Sequence, residues 1–236
     1  MYPVVGAARA RSVGELAEAV VRCTACPRLV AWREEVARVK RAAFRDQEYW
    51  GRPVPGFGPA DAAVLVVGLA PAAHGGNRTG RMFTGDPSGD VLFPALHAVG
   101  LADRPDAREL LGARVTAPVH CAPPGNRPTT GERDTCRPWL VRELELLRPT
   151  LRVAVALGGF AWQALLPALD SAGWRPPRPR PVFGHGAEAA VEHADGGPEL
   201  RLLGCYHPSR RNTSTGRLTP AMLREVLRRA ARLGGR

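Results

Sequence analysis

The sequence contains almost no lysine: Lys40 is the only one, and arginine supplies the rest of the 33 basic residues. With 22 acidic residues, the formal net charge is +11. A GC-rich coding bias would account for arginine replacing lysine, but it would not account for the net charge. Because a guanidinium group binds phosphate through two hydrogen bonds, the excess of arginine favours a nucleic-acid partner.

The sequence also lacks a long apolar run. A membrane-spanning helix needs about twenty consecutive apolar residues, and no such stretch is present. No basic and then apolar leader precedes a small-residue cleavage site. We therefore expect a cytoplasmic protein that does not contact a membrane.

Cysteine is scarce, with five residues in the chain. Disulfides rarely form in a reducing cytosol, so the pair Cys23-x-x-Cys26, followed by Cys121 and Cys136, favours metal ligation. Four thiolates suit either zinc or an iron–sulfur cluster, and the spacing does not choose between them. The alternative is that the four are unrelated buried thiols. Cys205 lies within a predicted strand, where we expect a buried thiol.

Paired carboxylates and a phosphate-cradling loop are also absent from the sequence. A zinc-stabilised nucleotide hydrolase would need one of these features. Their absence argues against that class of enzyme.

Length and hydrophobic pattern predict the fold. A chain of 236 residues that is 44% hydrophobic can bury one substantial core, so we expect one domain over residues 1–236. Strand-like apolar stretches lie at residues 62–67, 115–119, 152–157 and 200–206. Helical stretches alternate with them. A capping box at residues 12–15 begins the first helix, and threonines with Glu132 mark the start of another over residues 130–147. The alternation predicts an α/β fold, a three-layer αβα sandwich around a four-stranded, mostly parallel sheet.

A long loop, GLAPAAHGGNRTGRMFTGDPSGD, follows the first strand at residues 68–90. In open α/β sheets the loops at the carboxyl ends of the strands build the ligand crevice. Gly68 and Ala70 let the backbone approach a ligand closely, and Phe83 offers a flat face for stacking. The alternative is an ordinary surface loop, but ordered loops of this length are usually functional.

A second polar segment, HPSRRNTSTGR, follows the fourth strand at residues 207–217. A histidine at the carboxyl end of a strand brings a hydrogen-bond donor into the crevice. The basic residues after it are candidates for phosphate or groove contacts. His207 is therefore a candidate site residue.

Four stretches together resemble the family 5 (type B) uracil-DNA glycosylases: CTACPRLVAWREE, GLAPAAHGGNRTGRMFTGD, CAPPGNRPT and HPSRRNTSTGR. They occur in order over nearly the whole chain, and their co-occurrence makes the resemblance specific. It implies a uracil-DNA glycosylase-like fold and a base-excision repair enzyme. Such an enzyme flips uracil, or another deaminated or modified base, out of double-stranded DNA and hydrolyses its N-glycosidic bond, leaving an abasic site.

The resemblance also implies roles for individual residues. Asn126 would bind the catalytic water and His207 would donate a hydrogen bond to the departing base. Asp86 is a second candidate for holding water, with a cap of the loop as the alternative reading. Contacts with the base are implied for Gly68, Leu69, Ala70, His74 and Phe83, and contacts with DNA for Arg210, Arg211 and Asn212. A 4Fe–4S cluster is implied at Cys23, Cys26, Cys121 and Cys136. The resemblance further implies a monomer of bacterial or archaeal type that works at the nucleoid.

The chain departs from the wider superfamily at two positions. Most branches carry Asp, Asn or Glu in the first motif to activate water, whereas this chain has Gly68-Leu69-Ala70-Pro71. Ala117 stands where the family 4 enzymes have an Asn that reads the uracil edge, so discrimination among bases should be relaxed. The competing function is a non-catalytic iron–sulfur protein that binds DNA, which would need neither Asn126 nor His207.

Overall fold

The computed structural model describes residues 2–236 and shows an α/β fold with one central sheet. Its strands are β1 (Val64–Val67), β2 (Ala113–Thr116), β3 (Val153–Leu157), β4 (Trp174–Arg175), β5 (Glu188–His193) and β6 (Leu200–Cys205). The order across the sheet is β2-β1-β3-β6-β5-β4. The four strands from β2 to β6 run parallel, and β5 and β4 extend the sheet in antiparallel fashion.

The helices are α1 (Tyr2–Arg9), α2 (Val13–Val21), α3 (Pro27–Val39), α4 (Gly76–Thr79), α5 (Gly89–His97), α6 (Thr130–Leu147), α7 (Gly159–Ser171), α8 (Arg210–Ser214) and α9 (Pro220–Leu233). Two predicted helix starts are confirmed by their caps. The Ser12 hydroxyl accepts a hydrogen bond from the Glu15 amide, and Thr129 and Glu132 form a reciprocal capping box. In the described part of the chain, no helix combines the length and the apolar character that crossing a membrane requires.

The predicted sheet was two strands too small. The four predicted strands are present within three residues of their predicted ends, but β4 and β5 were not expected. β5 is rich in alanine and glutamate, which have low strand propensity, and much of it is exposed. Its pattern therefore gave no apolar alternation to find.

The three-layer arrangement follows from alternation along the central strands. Val64 and Val66 of β1 pack into the core beneath α5 and α9. Leu65 and Val67 point to the other face and pack beneath α6 and α7. Successive side chains of a strand point to opposite faces, so an apolar residue at every position means that both faces are covered.

The N-terminal helices form an additional layer on α6. Residues of α1 and α2 build a separate small core with Cys136 and Trp139 of α6. Gly6 of α1 permits the close approach, because a Cβ at that position would lie 2.6 Å from the Trp139 ring. This layer brings the first cysteine pair next to α6.

Candidate active site

A cavity of about 420 Å³ lies at the carboxyl ends of the parallel strands. It is lined by Leu69, Ala70, Pro71, Ala72, Met82, Phe83, Asp86, Pro87, Ser88, Ala117, Asn126, His207, Ser209 and Arg210. Both predicted polar segments, the loop after β1 and the segment after β6, contribute to it. The segment containing Asn126 follows β2, so three separate parts of the chain meet at one site.

Phe83 and His207 lie side by side in this cavity. Their ring centroids are 6.4 Å apart and their planes are inclined by 30°. Phe83 has a left-handed backbone, with φ of 56°, which is uncommon for a residue that carries a side chain. Such backbone strain persists only where the surroundings hold it, and it concentrates at functional sites.

Two glycines leave the space that Phe83 needs in this conformation. A Cβ on Gly68 would lie 2.5 Å from the Phe83 ring, and one on Gly89 would lie 1.6 Å from its carbonyl oxygen. The Gly68 amide donates to the Thr116 carbonyl at 2.8 Å and is unavailable to a ligand. Gly68 does not line the cavity, whereas Leu69 and Ala70, which were also predicted to contact the base, do.

His207 is held through its backbone rather than its imidazole. The Asn212 side-chain amide donates to the His207 carbonyl at 2.8 Å. Burial lowers the pKa of His207 to about 4, so the imidazole is neutral near pH 7. A neutral imidazole in a cavity wall offers one N–H donor to a ligand.

Asn126 lies at the mouth of the cavity in a short 3-10 turn (Pro124–Asn126). Its φ is 55°, a left-handed conformation that asparagine tolerates better than most residues. Ala117 also lines the cavity, where it presents a methyl group and no hydrogen-bonding side chain.

The sequence left open whether Asp86 holds water in the site or caps the loop, and its position is compatible with both. One carboxylate oxygen, Oδ1, accepts hydrogen bonds from the Ser88 and Gly89 amides at 2.9 and 3.2 Å, which closes a loop turn. The residue also lines the cavity. Burial raises the pKa of Asp86, although the two backbone hydrogen bonds oppose that shift.

Four other predicted site residues lie at or beyond the edge of the cavity. Arg210 lines it, whereas Arg211 is exposed on α8 outside it. The Asn212 amide group is engaged with His207, so its structural role is to fix that residue. His74 does not line the cavity; its Nδ1 lies 2.9 Å from the Tyr49 hydroxyl.

The four cysteines Cys23, Cys26, Cys121 and Cys136 line one small cavity between the N-terminal helices and α6. Burial raises the pKa of Cys121 to about 11 and raises that of Cys136 as well. Cys205, by contrast, is buried in β6 away from this cavity, as expected of a structural thiol.

A buried arginine accompanies these thiols. The Arg33 guanidinium donates to the Cys121 sulfur at 3.0 Å and to the Cys23 carbonyl at 3.2 Å. Its Nε has no partner among the described residues. Sequence reasoning missed this residue, because a single arginine within the basic helix α3 gave no signal of burial.

Within residues 2–236, no three Cys, His, Asp or Glu side chains are arranged to hold a single metal ion. Zinc would draw four sulfurs to about 2.3 Å from one centre. An iron–sulfur cluster contains several irons and spreads its ligands more widely. Iron–sulfur clusters are held by cysteine thiolates, so four cysteines around one cavity beside a buried guanidinium match the donor set of such a cluster.

Comparisons with known proteins agree with this geometry. The sequence model of the Uracil DNA glycosylase superfamily matches residues 55–231 of the chain. A type-5 uracil-DNA glycosylase from Mycobacterium bovis is 56% identical over 232 residues, which cover 96% of this chain and 83% of that protein. The type-5 uracil-DNA glycosylase of Mycobacterium leprae is also 56% identical, over 96% of this chain and 97% of its own length. That of Thermus thermophilus is 50% identical over 92% of this chain and 96% of its own length.

Proposed function

This chain belongs to the type-5 branch of the uracil DNA glycosylase superfamily, and from that premise we propose how it excises uracil from DNA. It is a DNA repair glycosylase, a hydrolase of N-glycosyl bonds. The observation that carries the mechanism is that Phe83, His207, Asn126 and Asp86 line one cavity at the carboxyl ends of the strands.

The target nucleotide leaves the base stack before chemistry. Flipping a base costs a few kcal/mol, and it costs least at a mismatched or damaged pair. The cavity of about 420 Å³ is large enough for a pyrimidine, and the Phe83 ring offers a face for it to stack on. Leu69 and Ala70 line the apolar part of the same wall.

His207 stabilises the departing base. When the bond between C1′ of the sugar and N1 of uracil breaks, the electron pair stays with the base and its carbonyl oxygens gain negative charge. A hydrogen bond aimed at that oxygen strengthens as the charge develops. The low pKa of His207 means that a neutral imidazole makes this bond, without proton transfer from an imidazolium.

Asn126 holds the water that attacks C1′, with Asp86 as its second partner. Asparagine cannot act as a strong base, so the reaction relies mainly on stabilising the leaving group, and water is captured late. The raised pKa of Asp86 makes that carboxylate a better proton acceptor than an ordinary aspartate. The water proton passes to Asp86 or to solvent once the new C–O bond forms.

The base range extends beyond uracil. Ala117 presents no donor or acceptor to the base edge, so a different arrangement of exocyclic groups leaves no buried polar partner unsatisfied. Hypoxanthine and other deaminated bases are therefore substrates in this proposal.

A 4Fe–4S cluster is the cofactor in this proposal, held by Cys23, Cys26, Cys121 and Cys136. The support is that the four cysteines line one cavity and that Arg33 donates to the sulfur of Cys121. When bound, the cluster would join the N-terminal helices to the rest of the domain. Arg33 favours the thiolate form that ligation requires.

Double-stranded DNA is the partner, bound by a monomer in the cytoplasm, at the nucleoid. Arg210 lines the cavity and Arg211 is exposed next to it, so both guanidinium groups can reach phosphates beside the flipped nucleotide. The net charge of +11 favours the same partner.

The test is single-turnover excision of uracil and of hypoxanthine from duplex DNA by the native chain, His207→Ala and Asn126→Ala. Loss of the His207 hydrogen bond should slow excision about 100-fold or more. Asn126→Ala should cost less, and its cost should differ between the two bases, because a poorer leaving group depends more on every stabilising contact. Affinity for an abasic-site duplex should change little in Asn126→Ala, because phosphate contacts dominate it.

Two outcomes would contradict the proposal. A native chain that binds the duplex but excises no base would be the non-catalytic DNA-binding protein. A full excision rate of Asn126→Ala on both bases would mean that Asn126 does not hold the water and that Asp86 is the leading candidate for that role.

A further inference from the structure

A second group of cations lies outside the loop after β6. The chain between α3 and β1 carries Lys40, Arg41, Arg45 and Arg52, and α4 adds Arg78. We call these five cations together with Trp50 the Trp50 surface. Arg41, Arg45 and Arg52 are exposed, and Trp50 is 37% exposed.

The cations of the Trp50 surface have no carboxylate partner. No carboxylate oxygen of residues 2–236 lies within 4.0 Å of any of them, although Asp46 and Glu48 belong to the same segment. Some arginines elsewhere do have carboxylate partners, for example Arg142 with Glu145 and Arg229 with Glu188. Two of these cations act on His74: burial is the main cause that lowers the pKa of His74, and the charges of Arg41 and Arg78 lower it further.

Backbone hydrogen bonds join this surface to the loop at residues 68–90, part of which lines the cavity. The Trp50 amide donates to the Arg78 carbonyl at 2.9 Å, and the Gly51 amide donates to the Asn77 carbonyl at 3.0 Å. The Arg78 guanidinium stacks on the Phe44 ring at 4.0 Å. A Cβ on Gly80 would lie 3.0 Å from the indole of Trp50, so the two segments are in close contact.

The sheet order puts the Trp50 surface and Arg210 on different sides of the cavity. Phe57 pairs with Val115 of β2, so the segment that follows Trp50 runs along the β2 edge. Arg210 follows β6, and β1 and β3 lie between β2 and β6. Strands are spaced by about 4.8 Å, so β2 and β6 are roughly 14 Å apart. A duplex centred on the cavity would therefore extend over both groups of cations.

We infer that the Trp50 surface is a second phosphate-binding surface, which holds the DNA backbone on the side of the flipped nucleotide remote from Arg210. This inference rests on the proposed function and names a contact surface for its DNA substrate. Unpaired guanidinium groups beside an exposed aromatic ring match the chemistry of phosphates and sugars along a strand. What distinguishes this surface from unpaired arginines elsewhere is its contact with the loop that lines the cavity.

The test compares two double variants that remove the same charge. Arg45→Gln with Arg52→Gln alters the Trp50 surface. Arg228→Gln with Arg232→Gln alters exposed, unpaired arginines of α9 near its C-terminus, where Gly234 lies against Val64 at the start of β1. The control therefore lies at the opposite end of the strands from the cavity. Affinity for an abasic-site duplex is measured as a function of salt, together with single-turnover excision at saturating DNA.

Each phosphate contact that is lost should lower the slope of log K against log salt by about 0.9. We expect the slope to fall by about one to two in the Arg45/Arg52 variant. The slope and the excision rate should both stay unchanged in the Arg228/Arg232 variant. Equal slopes in the two variants would overturn the inference, whether both fell or neither did. A native chain without excision activity would instead overturn the proposed function, since the slopes do not depend on catalysis.

Discussion

The imidazole of His207 is partly exposed at the cavity, yet the protein atoms around it keep its charged form unfavourable. Its identity as a site residue could be predicted from its position after a strand. Its charge state could not, because that depends on atoms brought in from other loops. The packing role of Gly68 also depends on another loop and could not be predicted. The sequence suggested that Gly68 contacts the base, and in the structure its missing side chain leaves room for the Phe83 ring.

The depressed pKa of His207 predicts a specific loss of stability in acid. The unfolded histidine takes up a proton near pH 6.5, whereas the folded one does so only near pH 4. Between these values the unfolded state binds more protons, so His207 lowers the free energy of unfolding as the pH falls. His207→Gln should therefore gain stability relative to the native chain between pH 6.5 and 4. Urea unfolding at several pH values measures this difference, and a difference independent of pH would contradict the assignment.

Among the elements, the parallel strands and the long helices were predictable because they are regular and amphipathic or fully apolar. The helix at residues 130–147 was predicted with both ends correct, since Thr129 and Glu132 mark its start. Five elements were not foreseen: α1, α4, α8, β4 and β5. Each of these is short or partly exposed, and its place depends on a tertiary partner, such as Trp139 for α1.

The contact between β2 and α6 gives a prediction at this scale. Arg114 of β2 donates from Nε to Glu143 of α6 at 2.6 Å, and both side chains are almost fully buried. Arg114 also donates to the carbonyls of Gly56 and Gly58, which fixes the segment before β1. No sequence pattern links residues so far apart in the chain. Arg114→Met should destabilise the fold by about 3–5 kcal/mol, because it leaves Glu143 charged and unpaired in the core.

The matched control for that prediction is the double variant Arg114→Met with Glu143→Leu. Replacing both partners by apolar residues removes the unpaired charge, so it should recover part of the lost stability. Chemical unfolding of the two variants and the native chain gives the comparison. Equal stability of the single and double variants would mean that the carbonyl contacts of Arg114, rather than its pairing with Glu143, hold the segment.

At the scale of the whole molecule, the sequence predicted that distant segments meet at two sites, and they do. Residues after β1, β2 and β6 line the candidate active-site cavity, and the four cysteines line the second cavity. What each side chain contributes there stays a prediction until it is tested. The distribution of unpaired cations could not be predicted, because it depends on which carboxylates fold next to which arginines.

The second cavity yields a prediction about how the domain holds together. The N-terminal helices rest on α6 through a small separate core that contains Cys136 and Trp139. A cluster ligated by Cys23, Cys26, Cys121 and Cys136 would add a covalent junction between that layer and the sheet domain. The anaerobically purified protein should therefore be brown, and removal of its iron should speed amide hydrogen exchange in α1, α2 and α3. The amides of β1, β3 and β6 should stay protected, because those strands belong to the two larger cores.

Cysteine variants separate this junction from a general effect of losing a thiol. Cys136→Ser should lose the colour and show fast exchange in the N-terminal helices even before iron is removed. Cys205→Ser changes an equally buried cysteine that lies in β6, and it should keep both the colour and the protection of those helices. A colourless protein with one zinc per chain would refute the iron cluster. A brown protein whose N-terminal helices exchange at the same rate with and without iron would show that the small apolar core alone holds them, because a junction that stabilises a layer must slow its opening.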